Sequence, residues 1–426
     1  MTGPYEGLLA QDAVTRLEDL RAAAAARDAA DELACFREQF IAHDDAAIPA
    51  YLDGNSLGRP LRVTEENLAR FVRDTWGRRL IRGWDEGWMD LPTAVGDRIG
   101  EVALGAAPGQ VVVGESTTVS LYKLVRAALD ARPGRTEIVI DRGNFPSDRY
   151  VVEGIAAERG ADLVWVEVEQ GAGVTAAELE PVLGDNTAVV LLSHVAFRSG
   201  YVADMAGITD LVHSHGALIV WDLCHSVGVL PLELDALGVD FAAGCTYKYL
   251  NGGPGSPAFL YVRRALIDHV APPINGWMGA AEPFRMIQGH VPASGIRRFI
   301  SGTPPIVGMQ AMQDMLELID EAGIDRVRAK STALTEYAIE LYDALLAPLG
   351  VELATPRNAH ERGGHVTIDH PAFTRVVPQL WAQGILPDLR PPSGIRLGLS
   401  PLSTSFREVL TAVLAIAEAL TTEEPA

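Results

Sequence analysis

The strongest constraint on the fold of this chain is an alternation of short apolar runs and helical stretches between residues 111 and 262. The apolar runs lie at 111–113, 137–140, 163–168, 188–192, 217–220 and 258–262. Stretches with helical periodicity, such as 119–129 and 208–213, separate most of them. Short strands that alternate with helices form βαβ units, so the pattern predicts an α/β fold with a mostly parallel sheet covered on both faces. Ligands of such sheets bind at the carboxyl ends of the strands.

The pattern changes after Pro304 and Pro305. Long helical segments at 308–322 and 324–346 precede a mixed tail that ends in a helix at 405–420. An alanine-rich stretch at 14–40 is typical of a helix or a helix pair. We therefore expect an N-terminal arm at 1–60 that joins a small α+β domain at 308–426, with a large domain at 61–307 between them.

The bulk composition excludes several functional classes. A formal net charge of −21 over 426 residues argues against nucleic acid or an anionic membrane as the main partner, because their phosphates repel an acidic chain. The sequence shows no signal peptide and no apolar run of membrane-spanning length, which favours a cytoplasmic protein. Its three cysteines, Cys35, Cys224 and Cys245, suggest reduced thiols. His213 and His215 would point to different faces of a helix, so no metal site is predicted.

Two polar clusters follow adjacent predicted strands. Asp222 comes directly after an apolar run, and Lys248 stands between two tyrosines ahead of the glycine-rich turn 252–255. An acid and a lysine at neighbouring strand ends are what pyridoxal 5'-phosphate (PLP) chemistry requires, since the acid keeps the pyridine nitrogen protonated and the lysine forms the imine. The competing interpretation is a surface lysine packed beside aromatic rings, but a half-buried lysine is costly unless it is used.

The stretches 222–226 and 247–255 resemble kynureninase, a fold-type-I PLP enzyme related to class V aminotransferases. Further similar stretches lie along most of the chain, at 54–58, 145–148, 276–279, 299–305 and 394–396. The resemblance implies a seven-stranded sheet flanked by helices and hydrolysis of the Cβ–Cγ bond of L-kynurenine, or of a ring-substituted kynurenine such as 3-hydroxykynurenine, to an anthranilate and L-alanine. The setting would be tryptophan catabolism, the kynurenine pathway to NAD, or a specialised biosynthesis.

The resemblance also implies roles around the cofactor. Lys248 would hold PLP as a Schiff base, Asp222 would pair with the pyridine nitrogen, and His225 would support the ring. Phe145 would stack on the ring, and Asp148 would lie near its polar edge.

The stretch 114–118 lies between a strand and a helix, where free backbone N–H groups bind anions, so Thr117 and Thr118 are predicted to hold the phosphate. Tyr247 resembles a tyrosine that contacts the phosphate and can donate a proton. Trp277 and Thr303 match positions that reach the phosphate from the neighbouring subunit. A homodimer with active sites at the subunit interface is therefore expected.

On the substrate side, Arg396 resembles the arginine that binds the α-carboxylate, a role that suits a bidentate guanidinium. Ser56 and Trp88 are expected to form the aromatic end of the pocket, although the tryptophan-rich segment around Trp88 fits plain packing equally well.

Three other functions compete with this interpretation. The stretch 54–58 fits a serine-hydrolase nucleophile elbow, but it precedes nearly all of the βαβ pattern. A cysteine desulfurase-like lyase shares the expected architecture, yet it needs a reactive cysteine in the C-terminal part, and the sequence has none after Cys245. A non-catalytic PLP-binding module is disfavoured by the intact lysine, acid and arginine. The preferred ring substituent stays open, because pockets distinguish a methyl or hydroxyl group by only about 1–3 kcal/mol.

Overall fold

The computed structural model describes residues 11–42, 44–169 and 171–422. Its strands are β1 (Ala50–Leu52), β2 (Val111–Val113), β3 (Glu137–Asp141), β4 (Asp162–Val166), β5 (Thr187–Ser193), β6 (Leu218–Asp222), β7 (Phe241–Gly244), β8 (Phe259–Val262), β9 (Glu352–Leu353), β10 (His365–Asp369), β11 (Ile385–Arg390) and β12 (Gly394–Gly398). Its α-helices are α1 (Gln11–Ala29), α2 (Arg62–Arg70), α3 (Gly77–Arg79), α4 (Leu91–Ile99), α5 (Thr117–Asp130), α6 (Pro146–Arg159), α7 (Ala176–Leu179), α8 (Met205–Ser214), α9 (Arg264–Ile267), α10 (Gln310–Ala322), α11 (Ile324–Leu341), α12 (Phe373–Ala382) and α13 (Phe406–Thr421).

The large sheet has seven strands in the order β2-β8-β7-β6-β5-β3-β4. Strands β4, β3, β5, β6 and β7 pair in parallel, and β8 runs antiparallel to both of its neighbours. The predicted α/β fold with a mostly parallel seven-stranded sheet is thus confirmed. The six apolar runs form six of the strands, and the seventh is β7, which is too short and too rich in alanine to stand out in the sequence.

Both faces of this sheet are buried. Val190 and Leu192 of β5 pack into one apolar cluster, whereas Val189 and Leu191 pack into another on the opposite face. This division follows from the two-residue repeat of a strand, which directs successive side chains to opposite faces. Helices cover both faces, and α5 packs on the second one, which leaves the strand ends as the place where such a sheet takes a ligand.

A second sheet has the order β1-β11-β12-β10-β9, with β1 parallel to β11 and the other pairs antiparallel. Strand β1 comes from the N-terminal arm, and α1 of the same arm packs against α13. A buried ion pair of 2.7 Å between Arg59 and Glu408 joins the end of the arm to the first turn of α13. The arm therefore builds part of the C-terminal sheet and its helical cover.

Helix α10 packs differently from the rest of the C-terminal region. Its buried residues Met312, Leu316 and Ile319 belong to the same apolar cluster as the large sheet. The next helix, α11, contributes Leu334 and other residues to the core of the small sheet. The division at residues 307 and 308 stays a prediction, and this packing leads us to propose a boundary near Gly323 instead.

Within the described ranges, no helix combines the length and the apolar character needed to cross a membrane.

Candidate active site

A cavity of about 350 Å³ lies at the carboxyl ends of the central strands. It is lined by most of the residues that the sequence predicted: Ser56, Thr117, Thr118, Phe145, Asp148, Asp222, His225, Tyr247 and Lys248. Residues far apart in the chain meet here because the parallel strands of the sheet end at one edge. The sequence did not predict the contributions of Glu115, Phe197, Ser256 and Arg390 to the same lining.

Lys248 faces the cavity from the loop that follows β7. Strand β7 pairs in parallel with β6, which places Asp222 opposite Ala243 at the carboxyl end of the sheet. The Nζ atom of Lys248 lies 3.0 Å from Nε2 of His225. Burial, and secondly the charge of Lys248, hold the pKa of His225 well below its ordinary value. A neutral imidazole results, and its Nε2 can accept a hydrogen bond from the lysine.

Two carboxyl groups share the floor of the cavity. Asp222 accepts a hydrogen bond of 2.7 Å from the backbone N–H of Cys224, which fixes its side chain. Asp148, in the first turn of α6, is buried and lies against Asp222. Burial, and next the charge of Asp222, raise the pKa of Asp148 well above its ordinary value. The raised pKa favours the protonated form of Asp148, which can donate a hydrogen bond to Asp222.

The anion-binding end of the cavity is formed by the N-terminus of α5. The side chain of Ser116 caps this helix by accepting the backbone N–H of Val119, and the helix begins at Thr117. Thr117 and Thr118 border the cavity, where the helix dipole and the free N–H groups favour an anion.

Glu115 and Lys123 support this helix end, although the sequence did not single them out. Glu115 has a φ of +56°, a conformation that non-glycine residues rarely adopt. Its carboxylate lies 2.6 Å from Nζ of Lys123, which also donates a 2.6 Å hydrogen bond to the carbonyl of Phe299. Glu115 lies in the predicted phosphate-binding stretch 114–118, but only its proximity to the buried Lys123 in the folded chain reveals the pair.

Phe145 and Tyr247 supply the aromatic walls. The ring of Phe145 packs edge-on against that of Phe197, with centroids 5.3 Å apart. Burial, and secondly the charge of Cys245, raise the pKa of Tyr247, so its phenol keeps its proton. The backbone carbonyl of Tyr247 accepts a hydrogen bond of 2.9 Å from the N–H of Gly58. A side chain at Gly58 would come within 2.5 Å of the carbonyl of Lys248, so this close approach requires glycine.

Arg396 lies directly behind the cavity wall and is fully buried. Its Nη1 donates a 2.8 Å hydrogen bond to the carbonyl of Phe197, and its Nη2 donates one of 2.7 Å to Oγ of Ser56. Nη2 also lies 2.9 Å from Asp388, its cross-strand neighbour on β11. Burial, and next the charge of Arg390, lower the pKa of Arg396 to about 10. The arginine is thus positioned beside Ser56 but is enclosed by protein groups.

Besides Arg396, three of the predicted residues lie outside the cavity lining. Trp277 is 42% exposed and lines a separate surface depression. Thr303 borders a small pocket next to Lys123, and Trp88 lies in an apolar surface groove with Phe71. The expected action of Trp277 and Thr303 on a neighbouring subunit stays a prediction. The expected contact of Trp88 with substrate has no support within the chain.

These residues fit the cofactor that the sequence predicts. Nδ1 of His225 and Oδ2 of Asp148 are buried without a hydrogen-bond partner, although both residues border the cavity. Such polar atoms are costly unless a ligand or water satisfies them. A lysine at one wall, carboxyl groups at the floor and a helix N-terminus at the end match the aldehyde, the pyridine nitrogen and the phosphate of PLP.

Comparison with known proteins identifies the family. The profile of the class V aminotransferases matches residues 98–380. The kynureninase of Pseudomonas fluorescens is 40% identical over 403 residues, which cover 93% of this chain and 94% of that protein. The chain belongs to the kynureninase family. The kynureninase of Burkholderia pseudomallei strain 1106a is 39% identical over 411 residues, covering 95% of this chain and 96% of that protein. The predicted family is therefore confirmed.

Solved structures give the fold alone. A C-DES variant with glycine covalently linked to its PLP cofactor superimposes with a TM-score of 0.78 at 19% identity, covering 90% of this chain and 99% of that one. The cysteine desulfurase CsdA of Escherichia coli gives a TM-score of 0.76 at 20% identity, covering 91% and 98%. Both agree with the fold class predicted from the sequence.

Among the residues that the structure describes, no group of three His, Cys, Asp or Glu side chains could hold a metal ion.

Proposed function

We propose that the protein is a PLP-dependent hydrolase that cleaves the Cβ–Cγ bond of L-kynurenine or of a ring-substituted kynurenine. Water is consumed, and an anthranilate and L-alanine are released. The observation that carries this proposal is the cavity in which Lys248, His225 and Asp222 meet at the ends of two neighbouring parallel strands. Membership of the kynureninase family supports the choice of reaction.

The residues of the cavity divide the work of holding the cofactor. Nζ of Lys248 would attach its aldehyde, and Asp222, fixed by the N–H of Cys224, would pair with the pyridine nitrogen. Thr117 and Thr118 would hold the phosphate at the N-terminus of α5. When bound, PLP supplies an electron sink that stabilises negative charge at the α-carbon of an amino acid.

The other groups orient the substrate and move protons. Nζ of Lys248 is the base that takes the α-proton, and His225 lies within hydrogen-bond distance to orient it. The hydroxyl of Tyr247, whose pKa is raised by burial, is the proton donor near the γ-carbonyl. Arg396 draws the substrate carboxylate toward Ser56. Phe145, whose ring contacts that of Phe197, would pack against the cofactor ring.

The reaction is tested by incubating the PLP-loaded protein with L-kynurenine and, separately, with 3-hydroxykynurenine, and by measuring the fluorescence of the anthranilate formed. The ratio of the two kcat/KM values assigns the ring substituent. L-Cysteine serves as the comparison substrate. Release of sulfide or persulfide from L-cysteine, with no anthranilate from either kynurenine, would contradict the proposal and favour a desulfurase. Cys224 and Cys245 are buried, and neither lies in the C-terminal part of the chain where a desulfurase needs its reactive cysteine.

We also propose that the active unit is a homodimer. Exposed apolar side chains are concentrated in two segments, 72–81 and 277–291: Val72, Trp76, Leu80, Ile81, Trp277, Phe284, Met286, Ile287 and Val291. Apolar surface of this extent indicates an interaction site, and the exposed position of Trp277 suits a residue that completes the phosphate site of a second copy. Analytical ultracentrifugation checks the assembly, and Trp277→Ala should weaken PLP binding. A fully active monomer would contradict this arrangement. A cytoplasmic location and a role in tryptophan catabolism stay predictions.

A further inference from the structure

Arg390, the last residue of β11, is the cation that the cavity presents to a ligand. It lines the cavity together with Ser56 and Lys248. Its side chain is 27% exposed, whereas that of Arg396 is 1% exposed. A molecule in the cavity therefore meets the side chain of Arg390, whereas Arg396 lies behind the cavity wall.

Arg396 alone offers an incomplete carboxylate site. Its Nη1 is bound to the carbonyl of Phe197, and its Nη2 is shared between Ser56 and Asp388. A carboxylate prefers two parallel N–H donors from one guanidinium, or donors from two groups. A substrate that used Arg396 alone would have to displace one of these partners first.

The two arginines converge on a single carboxylate that belongs to the chain. Oδ2 of Asp388 lies 2.9 Å from Nη2 of Arg396 and 2.6 Å from Nε of Arg390. The two guanidinium groups are thus close enough for one carboxylate to bridge them. The positive charge of Arg390 is also the second largest cause, after burial, that lowers the pKa of Arg396. Of the two arginines, Arg390 is the one that lines the cavity.

We infer that Arg390 is a second carboxylate-binding residue, which holds the α-carboxylate of the amino-acid substrate jointly with Arg396. This inference rests on the proposed function. Arg390 takes the carboxylate at the mouth of the site, and Arg396 holds it against Ser56. Asp388 bridges the two cations and partly neutralises them before the substrate arrives. This arrangement requires the ligand to carry a free carboxylate. It also limits how much either arginine alone contributes to the affinity for that carboxylate.

The test compares two ligands that differ only in charge at this position. L-Alanine, the proposed product, carries the carboxylate, and L-alaninamide replaces it with a neutral amide. Their dissociation constants for the PLP-loaded protein are measured from the change in cofactor absorbance in wild type, Arg390→Gln and Arg390→Lys. In Arg390→Gln, L-alanine should bind about 10- to 100-fold more weakly, which is the loss expected for a charge-assisted hydrogen bond, while L-alaninamide should bind within twofold of wild type. The affinity of Arg390→Lys for L-alanine should lie between those of wild type and Arg390→Gln.

Arg357→Gln is the matched control, because Arg357 is also a C-terminal-region arginine that pairs with an aspartate, Asp343, at 2.7 Å, and it lies outside the cavity lining. It should leave both dissociation constants unchanged. If Arg390→Gln lost equal affinity for L-alanine and for L-alaninamide, the assignment of Arg390 would be overturned. A loss of affinity for L-kynurenine without one for L-alanine would overturn it as well. If wild type binds L-alanine and Arg390→Gln binds it equally well, only this inference fails. If wild type responds neither to L-alanine nor to L-kynurenine, the proposed function fails and the inference fails with it.

Discussion

Replacement of Asp148 by asparagine gives the sharpest test of the charge distribution in the cavity. Asp148 is fully enclosed beside Asp222, and burial together with the Asp222 charge raises its pKa well above the ordinary value. The raised pKa therefore favours a neutral, protonated side chain that can donate a hydrogen bond to Asp222, and asparagine is also a neutral donor of nearly the same shape. We expect Asp148→Asn to change PLP affinity by only a few-fold.

The pH dependence of stability gives the magnitude. Between the ordinary pKa and the raised pKa, the unfolded chain has released the proton but the folded state still holds it. The folded state therefore loses stability as the pH rises through this interval. One such group changes the free energy of unfolding by about 1.4 kcal/mol per pH unit. As the pH rises above the ordinary aspartate pKa of about 4, wild type should therefore lose stability relative to Asp148→Asn, by at most about 1.4 kcal/mol per pH unit. Buried histidines such as His225, with lowered pKa values, act in the opposite direction but equally in both proteins.

The assay is urea denaturation of the PLP-free proteins at pH 5.0, 5.5 and 6.0 in a constant-ionic-strength buffer. Asp162→Asn, which changes an exposed aspartate at the start of β4, is the control and should follow wild type. If Asp148→Asn kept the pH slope of wild type, Asp148 would not hold a proton in the folded state. If Asp148→Asn lost PLP affinity as severely as Asp222→Asn, the two carboxyl groups would not have the separate roles assigned to them.

Three further changes test other parts of the structure. Lys248→Ala should abolish formation of anthranilate and the absorbance of lysine-bound PLP, and near-normal activity would refute its assignment. Arg59→Met should destabilise the fold by about 3–5 kcal/mol in urea denaturation, because it leaves Glu408 buried without its partner; a loss below about 1 kcal/mol would contradict this. Burial raises the pKa of Asp53 to about 6, so its ionisation destabilises the fold as the pH rises through 6. Between pH 5 and pH 7, Asp53→Asn should therefore gain stability relative to wild type in thermal unfolding. A stability difference between the two proteins that stays the same over this range would refute the raised pKa of Asp53.

Local patterns in the sequence were sufficient for the sheet and for the core of the site. The apolar runs fixed six strands, and the acid at the end of β6 and the lysine after β7 were predicted to meet because parallel strands end at one edge. Strand β7 itself was inconspicuous, since Phe241–Gly244 has only one bulky side chain. The packing of α10 on the large sheet was also unpredictable from its amphipathic repeat, because that repeat shows which face is buried but not against which layer.

The charged groups on the far side of the cavity illustrate what local patterns omit. Strand β11 reads Ile-Leu-Pro-Asp-Leu-Arg, and nothing in this run indicates that Arg390 lines the cavity or that Asp388 contacts Arg396. Their importance follows from the antiparallel register, which sets Asp388 directly opposite Arg396. Register depends on pairing between strands, so it is a property of the folded sheet and cannot be read from one strand.

The position of the cavity between the two sheets links substrate charge to the arrangement of the chain. The large sheet supplies Lys248 and Asp222, whereas the small sheet supplies Arg390 and Arg396, and Ser56 follows β1 of the same small sheet. A bound carboxylate would thus draw groups from both sheets to one point. Because Arg396 is buried and its Nε has no hydrogen-bond partner, an added negative charge at this point stabilises it more than it would at the surface. Amino-acid ligands should consequently raise the melting temperature more than amides of the same size, and that gain should shrink in Arg390→Gln.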